Sequence, residues 1–369
     1  MKNELTVQEK SYNFLETIRS SYHTLLDSHT SYSLLNLLNS DQFDVEAYCK
    51  DFRPHASGDQ VIQKVEAFGK QYGIWTKSSA YNISCASFLY PSAEPARLGT
   101  IMKNMLIDFT LNDIMGRDTF TQNTLQEHLS RTIIENMSGI DESLNIDPGA
   151  KTIEYANAET LQKFKDTSPA SWFTRFLKLY GRHISITHQN LNTEYLGYIP
   201  SVPEYIDMRN NVSGMNHVIL WVEYNNDQFL NWELCDTLKI SQNLQNLQWL
   251  AASFGSLSND LFSWEKEVID NGADSNIVMI IALNNPDLPL KDCLFKAVDI
   301  VRNLLIKFSA SLYSLSSKIK ELSITPDEKT KLETHLTGLE NCVKASWSWQ
   351  AYTKRYKRAK SVWSEIAST

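Results

Sequence analysis

Five long stretches of this sequence repeat apolar residues at positions i, i+3 and i+4, and this period limits what the chain can fold into. Because a half-buried strand alternates with a period of two, the pattern predicts amphipathic or buried helices. Glycine and proline number only 13 and 10 among 369 residues, which leaves too few turn signals for an all-β sandwich or barrel. We therefore expect an all-α fold of about ten or more helices. The helical stretches are residues 98–115, 172–188, 244–269, 294–322 and 332–363.

Two shorter segments, 184–187 and 218–224, are rich in β-branched and aromatic residues and have the composition of strands. Since no partner strands with turn signals flank them, we expect buried helices there as well. The sequence contains no internal repeat, low-complexity tract or linker rich in Pro, Gly or Ser. These features predict one main domain over residues 51–369, preceded by an N-terminal helical segment or arm over residues 1–50.

The net charge bears on the class of partner. The chain carries a formal net charge of −8, and its pI is near 5.6. No overall positive field is available to hold a nucleic-acid backbone, so we expect no nucleic-acid partner, while a local basic site for a small polyanion remains open. The five cysteines are far apart and include no CxxC pair, which indicates neither a zinc site nor a disulfide framework.

Neither a signal peptide nor a membrane span is indicated by the apolar runs. The first residues, MKNELTVQEKSYNF, lack the apolar core of a signal peptide. The most apolar run, Asn276–Leu283, has about eight residues, whereas a bilayer span needs about 20. We therefore expect a cytoplasmic protein without a membrane span.

Asn259, Ser263 and Glu267 follow one another at intervals of four residues. On an α-helix they lie within about 80° on one face, stacked about 6 Å apart. An amide oxygen, a hydroxyl and a carboxylate are hard oxygen donors that together can hold Mg²⁺. Lys266 falls on the same stripe and can point at an anion shared with that metal. The alternative is an ordinary polar face on an amphipathic helix, which is the usual explanation for such a triplet taken alone.

The segment 259–267, NDLFSWEKE, resembles the second metal-binding motif of class I terpene synthases, (N/D)Dxx(S/T)xx(K/R)(D/E). The residues at the defined positions all match; they are Asn259, Asp260, Ser263, Lys266 and Glu267. The resemblance, to the microbial type, implies a single-domain helical bundle around a deep apolar cavity, with residues 51–369 as the catalytic α-domain. It also implies three Mg²⁺ ions and a prenyl diphosphate at the mouth of that cavity.

The same resemblance implies an aspartate-rich motif, DDxx(x)(D/E), on a facing helix upstream. The segment 105–118, MLIDFTLNDIMGRD, departs from this pattern because it has no adjacent pair of aspartates. The best match takes Asp113 as the first aspartate and Asp118 as the last acid, with Asn112 as an extra oxygen ligand. Asp108 is a less favoured alternative, and a solvated helix end is the other interpretation of these acids.

A diphosphate-sensing arginine ahead of a helix break is a further element that the resemblance implies. Arg209 fits this role, since Gly214 follows it closely. A guanidinium is planar and permanently charged, so it can bind phosphate oxygens with two parallel hydrogen bonds. Ser213 and Gly214 are the candidates for the effector position at the break, where free backbone carbonyls can face a developing cation. The alternative is that Arg209 is an ordinary surface arginine.

Near the C-terminus, the resemblance implies an Arg–Tyr pair that closes over the diphosphate, and Arg355 and Tyr356 match it. Taken alone, the basic run 355–360 could also be a nucleic-acid patch or a solvated helix end. Aromatic faces stabilise cations without trapping them. Phe109 and Trp349 are therefore the favoured cavity aromatics, whereas core packing is the more favoured interpretation of Phe88, Trp172, Phe173, Trp221 and Phe254.

The implied function is Mg²⁺-dependent ionisation of an acyclic prenyl diphosphate, either farnesyl or geranylgeranyl diphosphate. The carbocation then cyclises to a sesquiterpene or diterpene, and diphosphate is released. One alternative is a non-catalytic, decayed terpene synthase-like protein, which only the missing second aspartate supports. Another is a prenyl-chain-elongating synthase, which would show two DDxxD motifs and no Asn–Ser–Glu triad. A homodimer is one oligomeric state that the resemblance allows.

Overall fold

The computed structural model describes residues 6–114, 124–187 and 191–368, and the side chains of residues 113–130 and 187 lie outside what it describes. The described residues form eighteen α-helices and one π-helix. The N-terminal third contains α1 (Val7–Asp27), α2 (Leu34–Leu38), α3 (Val45–Cys49), α4 (Gly58–Gln71), α5 (Ser79–Ile83), α6 (Cys85–Leu89) and α7 (Pro95–Ile114). The middle contains α8 (Thr124–Ser138), α9 (Thr152–Asp166), α10 (Ala170–Thr187), α11 (Thr193–Leu196), α12 (Val202–Val212), α13 (Met215–Asn225) and α14 (Trp232–Thr237). The C-terminal third contains α15 (Ser241–Trp264), the π-helix (Glu265–Asp270), α16 (Ile277–Asn284), α17 (Leu290–Glu321) and α18 (Pro326–Tyr352).

The prediction of an all-α fold is confirmed. Segments 184–187 and 218–224, which have the composition of strands, lie inside α10 and α13. Every residue of α13 from His217 to Asn225 is buried. A helix that is buried on all sides carries no polar stripe, so its sequence is as apolar and β-branched as that of a central strand.

The core is organised around α15, which packs against α12, α13, α16, α17 and α18. Residues 250–258 of α15 are all buried, as are residues 260–264. A second aromatic layer stacks between α9, α10 and α13, where the rings of Trp172 and Phe176 are 5.2 Å apart and nearly parallel. Trp221 stacks on Phe164 in the same layer, so these rings serve core packing.

The last helix is shorter than the sequence pattern predicts. The apolar period runs to residue 363, but α18 ends at Tyr352, and Thr353 takes an extended conformation. The tail after it folds back on the π-helix, where the buried carboxylate of Glu265 accepts hydrogen bonds from Oγ of Ser361 (2.5 Å) and N of Val362 (3.1 Å). The prediction of a helix over 332–363 is therefore wrong at its C-terminal end, because a long-range contact competes with the local period.

The N-terminal helix α1 packs against the π-helix, α11 and α17. Oγ of Ser11 donates to Asp274, just beyond the π-helix, over 2.5 Å. Nε of Arg19 donates to the carbonyl oxygen of Ile269 over 3.0 Å. Among the described residues, no helix is long and apolar enough to cross a membrane.

Candidate active site

A cavity of about 260 Å³ lies where α7, α10, α15 and α18 meet the break between α12 and α13. Its wall includes apolar side chains, among them Leu89, Met105 and Val218, and also charged and amide groups. The residues predicted for the site that line this cavity are Phe109, Asn112, Arg209, Ser213, Gly214, Asn259, Glu267, Trp349, Arg355 and Tyr356.

Two residues of the motif in segment 259–267, Ser263 and Lys266, do not line this cavity. Ser263 is buried within α15, and its hydroxyl donates to the carbonyl oxygen of Asn259 over 2.8 Å. Lys266 is exposed, contrary to the prediction that it shares a stripe with Asn259. The reason is that α15 changes to a π-helix at Glu265. In a π-helix the backbone hydrogen bonds join residues five apart instead of four, so each turn contains more residues. Side chains after Glu265 therefore point in directions that differ from those of a continuous α-helix.

Arg209 connects the break to the metal motif. Its helix, α12, begins at a capping box, in which Glu204 accepts from the backbone N–H of Ser201 over 2.9 Å. Nη2 of Arg209 donates to Oδ1 of Asn259 over 2.9 Å, and its Nε donates to Oδ1 of Asp260 over 2.7 Å. Burial opposes the charge of Arg209, but the neighbouring carboxylate of Asp260 outweighs burial and raises the arginine pKa.

The C-terminal tail joins the same network. Nδ2 of Asn259 donates to Oη of Tyr356 over 2.6 Å and to Oε1 of Gln350 over 3.2 Å. Burial raises the pKa of Tyr356, so its hydroxyl stays protonated and able to donate. Asn259 therefore contacts both Arg209 and Tyr356, which are far apart in sequence.

Asp260 does not line the cavity; its carboxylate instead connects neighbouring helices. Its buried carboxylate accepts from Oη of Tyr205 (2.6 Å) and from the backbone N of Ile277 (2.9 Å), besides Arg209. These bonds tie α12 and the start of α16 to α15. Glu267 is held from the same side, since Nδ2 of Asn276 donates to its Oε2 over 3.2 Å.

The aspartate-rich segment is only partly described. Asn112 lines the cavity, whereas the side chain of Asp113 and the whole of Asp118 lie outside the described residues. Asp108, one turn before Asn112, also lines the cavity. Its Oδ2 lies 3.1 Å from Nε2 of His217 and 3.8 Å from Nε2 of His183. Sequence analysis did not find the two histidines, because nothing in the local pattern links α10 and α13 to α7.

The helix break leaves room only for glycine. Gly214 has φ +77°, and a Cβ there would lie 2.9 Å from Cε1 of His183 and 3.1 Å from Cε1 of His217. The left-handed conformation and the two imidazoles both exclude a larger residue. The break thus places the backbone of Ser213 and Gly214 against the cavity, with the histidines packed on it.

Two aromatic rings and Arg355 lie beside the network. The guanidinium of Arg355 lies 5.4 Å from the ring centroid of Phe109, and its Nη1 donates to Oδ1 of Asn82 over 3.0 Å. Nε1 of Trp349 donates to Oγ of Ser84 over 3.0 Å, which fixes its ring on the cavity wall. The ring of Phe109 already stacks with a cation in this arrangement, which is the interaction that a carbocation would need.

The oxygen donors on the cavity wall suit Mg²⁺. Asn112, Asn259 and Glu267 offer amide and carboxylate oxygens, which are the ligands that this hard cation prefers. Among the described residues, the other group of ligating side chains is Asp108, His183 and His217. Imidazole nitrogen suits transition metals rather than Mg²⁺, so those three residues do not extend the magnesium donor set.

Comparison with known proteins places this geometry in a family. The family model described as "Terpene synthase family 2, C-terminal metal binding" matches residues 103–306. Two curated proteins of Postia placenta, named sesquiterpene synthase 1 and sesquiterpene synthase 2, are each 24% identical over 182 residues. That alignment covers 49% of this chain and 50% of each relative, so the chain spans about half the length of the curated relatives it matches.

Solved structures resemble the fold over most of the chain. An α-eudesmol synthase has a TM-score of 0.69 at 13% identity, covering 82% of this chain and 97% of that one. A germacradien-4-ol synthase from Streptomyces citricolor has a TM-score of 0.68 at 16% identity, covering 82% and 96%. A linalool/nerolidol synthase from Streptomyces clavuligerus, in complex with 2-fluorogeranyl diphosphate, has a TM-score of 0.68 at 12% identity, covering 81% and 95%. The predicted terpene synthase-like helical fold is therefore confirmed.

Proposed function

Because this chain belongs to the terpene synthase family, we propose that it ionises an acyclic prenyl diphosphate and cyclises the resulting carbocation, releasing diphosphate. The proposal depends on one observation. A single cavity is lined both by Arg209, Asn259, Glu267 and Tyr356 and by apolar and aromatic side chains. That mixed lining suits a substrate with a diphosphate head and a hydrocarbon tail.

The polar groups of the cavity are suited to stabilise the leaving group. When the C–O bond breaks heterolytically, the departing diphosphate gains negative charge, and the groups that bind it best in the transition state lower the barrier. Arg209, Arg355 and the hydroxyl of Tyr356 line the cavity. Arg209 and Tyr356 are buried, so their hydrogen bonds to an anion would form away from bulk water, where they are stronger.

The residues proposed to hold the metal are oxygen donors from two facing helices. They are Asn112, Asp113 and Asp118 from the segment after Asp108, and Asn259, Ser263 and Glu267 from the α15 motif. When bound, Mg²⁺, for which three ions are expected, supplies positive charge to the diphosphate. Lys266 is proposed to bind the diphosphate only if the π-helix changes its register, because the side chain is exposed in this conformation.

The aromatic and apolar side chains of the cavity are proposed to shape and stabilise the cation. Phe109 and Trp349 present aromatic faces, whose negative quadrupole attracts positive charge. The break at Ser213 and Gly214 adds backbone dipoles at the same wall. A protein nucleophile is not needed, because the double bonds of the substrate attack the cation.

Farnesyl diphosphate is the proposed first substrate, with geranylgeranyl diphosphate as the alternative. The names of the two Postia placenta relatives support a sesquiterpene product. We place catalysis in residues 51–369 and treat residues 1–50 as an arm, since α1 contacts the π-helix through Arg19 and the segment after it through Ser11. A cytoplasmic location and a homodimer remain expectations of the sequence.

The test is incubation of the purified chain with geranyl, farnesyl and geranylgeranyl diphosphate, each with Mg²⁺ or with EDTA. Diphosphate release and mass spectrometry of the hydrocarbon extract are measured together. Release of diphosphate that needs Mg²⁺, with a cyclic hydrocarbon from one substrate, is the expected result. A folded chain that releases none from all three substrates would be a non-catalytic member of the family. A longer prenyl diphosphate, formed when isopentenyl diphosphate is added, would instead indicate chain elongation.

A further inference from the structure

Three titratable side chains meet on the cavity wall one helical turn before the proposed magnesium donor Asn112. Asp108 comes from α7, His183 from α10 and His217 from α13. Their ligating atoms lie within 4.8 Å of one another. Neither histidine belongs to the aspartate-rich or the Asn–Ser–Glu motif, yet all three residues line the cavity beside Gly214.

Asp108 is held in one orientation within this cluster. Nε2 of His217 lies 3.1 Å from its Oδ2, and the two imidazole rings pack against each other with centroids 4.4 Å apart. His217 is buried, and burial lowers its pKa to about 3, so it is a neutral hydrogen-bond donor rather than a cation. A neutral donor fixes the carboxylate without cancelling its charge.

The cavity offers few other bases. Among its described lining residues, the carboxylates are Asp108 and Glu267. Glu267 acts electrostatically on Arg209 and Tyr356, where the diphosphate is proposed to bind. Of these two carboxylates, Asp108 is therefore the one beside the break at which the cation is expected.

We propose that Asp108 accepts the proton that the carbocation loses when the reaction ends in an alkene, and that His217 positions its carboxylate. This inference rests on the proposed function. In this step, a C–H bond next to the cationic carbon breaks, and its electron pair forms the new C=C bond. The proton goes to a carboxylate oxygen of Asp108, so the cation and the anion are both neutralised.

The surroundings of Asp108 favour that step physically. Charge is costly for a group shielded from water, and the step replaces two opposite charges by two neutral groups. Burial also raises the pKa of Asp108 to about 6, which makes its carboxylate a stronger base than an exposed aspartate. The imidazole of His183 packs beside this carboxylate, with its Nε2 3.8 Å from Oδ2.

The test compares Asp108→Asn with Glu267→Gln in the full chain, using the prenyl diphosphate that the wild type accepts. Both variants keep the shape and remove one carboxylate from the cavity. We expect Asp108→Asn to slow diphosphate release by less than about tenfold, but to lower the ratio of the main alkene to other products by at least about tenfold. Glu267→Gln should slow diphosphate release by about tenfold to a hundredfold, without that change in the ratio of its remaining products. Asp207→Asn, an exposed aspartate on α12, is the control for charge removal outside the cavity.

The positioning role of His217 is tested separately, by the share of the main alkene that two His217 variants form. His217→Gln retains an N–H donor and should keep more of the main alkene than His217→Leu, at similar rates of diphosphate release. An unchanged product ratio in Asp108→Asn would overturn this inference but not the proposed function. A loss of diphosphate release in Asp108→Asn as large as in Glu267→Gln would also overturn the inference, since Asp108 would then bind metal. Absence of release from the wild type would overturn the proposed function and this inference with it.

Discussion

Nε of Arg209 lies 2.7 Å from Oδ1 of the fully buried carboxylate of Asp260. Because Tyr205 and the backbone N–H of Ile277 also donate to this carboxylate, its position is fixed by three donors from α12 and α16. The guanidinium is consequently oriented toward the cavity before any ligand arrives. Preorganised donors need no rearrangement in the transition state, which is where electrostatic catalysis gains most.

Arg209→Met should destabilise the protein strongly. It leaves Asp260 buried without its cation, and breaking a buried ion pair in this way costs about 3–5 kcal/mol. The double variant Arg209→Met with Asp260→Asn should regain much of that free energy of unfolding, but not the rate of diphosphate release. Urea unfolding and a diphosphate assay measure the two effects separately. Wild-type stability in Arg209→Met would contradict the buried pair.

Two glutamates of the π-helix should separate catalysis from stability. Glu267→Gln is expected to lower turnover by about tenfold to a hundredfold, because it removes the charge that holds a hard cation, while unfolding is little changed. Glu265→Ala removes the acceptor for Ser361 and Val362 and should cost about 1–3 kcal/mol of stability. Turnover and urea unfolding are measured for both variants. Full turnover in Glu267→Gln, or in wild type with EDTA, would be incompatible with the assignment.

The local part of the site could be predicted from the sequence. Asn259 and Glu267 were found from their spacing and motif, and Arg209 from the position of the helix break. Each of these predictions uses a short-range rule: helix period, motif spacing or a break signalled by glycine. These rules lead us to expect all three residues on the wall of one cavity, where the structure has them. That they bind metal or diphosphate stays a prediction.

The long-range part could not be predicted. Lys266 leaves the stripe because the helix changes from α to π at Glu265, and no local signal marks that change. The end of α18 depends on contacts between Glu265 and Ser361, which are 96 residues apart. The contact between Asp108 and His217 spans 109 residues. Such pairings are set by tertiary packing, to which a single sequence gives no direct access.

The acids of the aspartate-rich segment should differ in effect. If Asp113 is the principal ligand on that helix, Asp113→Ala should abolish diphosphate release, and Asp118→Asn should be intermediate. Asp108→Ala should be milder, since its carboxylate already contacts His217. Initial rates over a range of Mg²⁺ concentrations rank the three variants. A reversed order of Asp108 and Asp113 would mean that the motif match is shifted by five residues.

Acid should destabilise the protein in part through buried histidines. Burial lowers the pKa of His335 to about 3, whereas the unfolded chain binds that proton below about pH 6.5. Between these values the unfolded state binds more protons, so stability falls as the pH decreases, by up to about 1.4 kcal/mol per pH unit. His335→Gln should reduce the slope by about one proton in urea unfolding at several pH values. His23→Gln, on an exposed position of α1, is the control, and equal slopes in wild type and His335→Gln would contradict the prediction.

The four segments around the cavity should respond to ligand as one unit. Without an anion, Arg209 and Arg355 bring two positive charges to the same cavity. With Mg²⁺ and diphosphate, charge-assisted hydrogen bonds of about 1.5–3 kcal/mol each become available, and mass action raises the melting temperature. Hydrogen exchange should therefore slow together in residues 350–360, around Arg209, in 112–118 and in 259–267.

Arg209→Ala should remove most of that shared protection, because Arg209 contacts Asn259, and Asn259 in turn contacts Tyr356. The exposed Arg53, which bonds only to backbone carbonyls of its own turn among the contacts described, provides the matched control as Arg53→Ala. It should leave the protection pattern as in wild type. If the segments respond independently, or if only the C-terminal tail responds, they do not bind one anion. The cavity would then lack the shared diphosphate site on which the proposed ionisation depends.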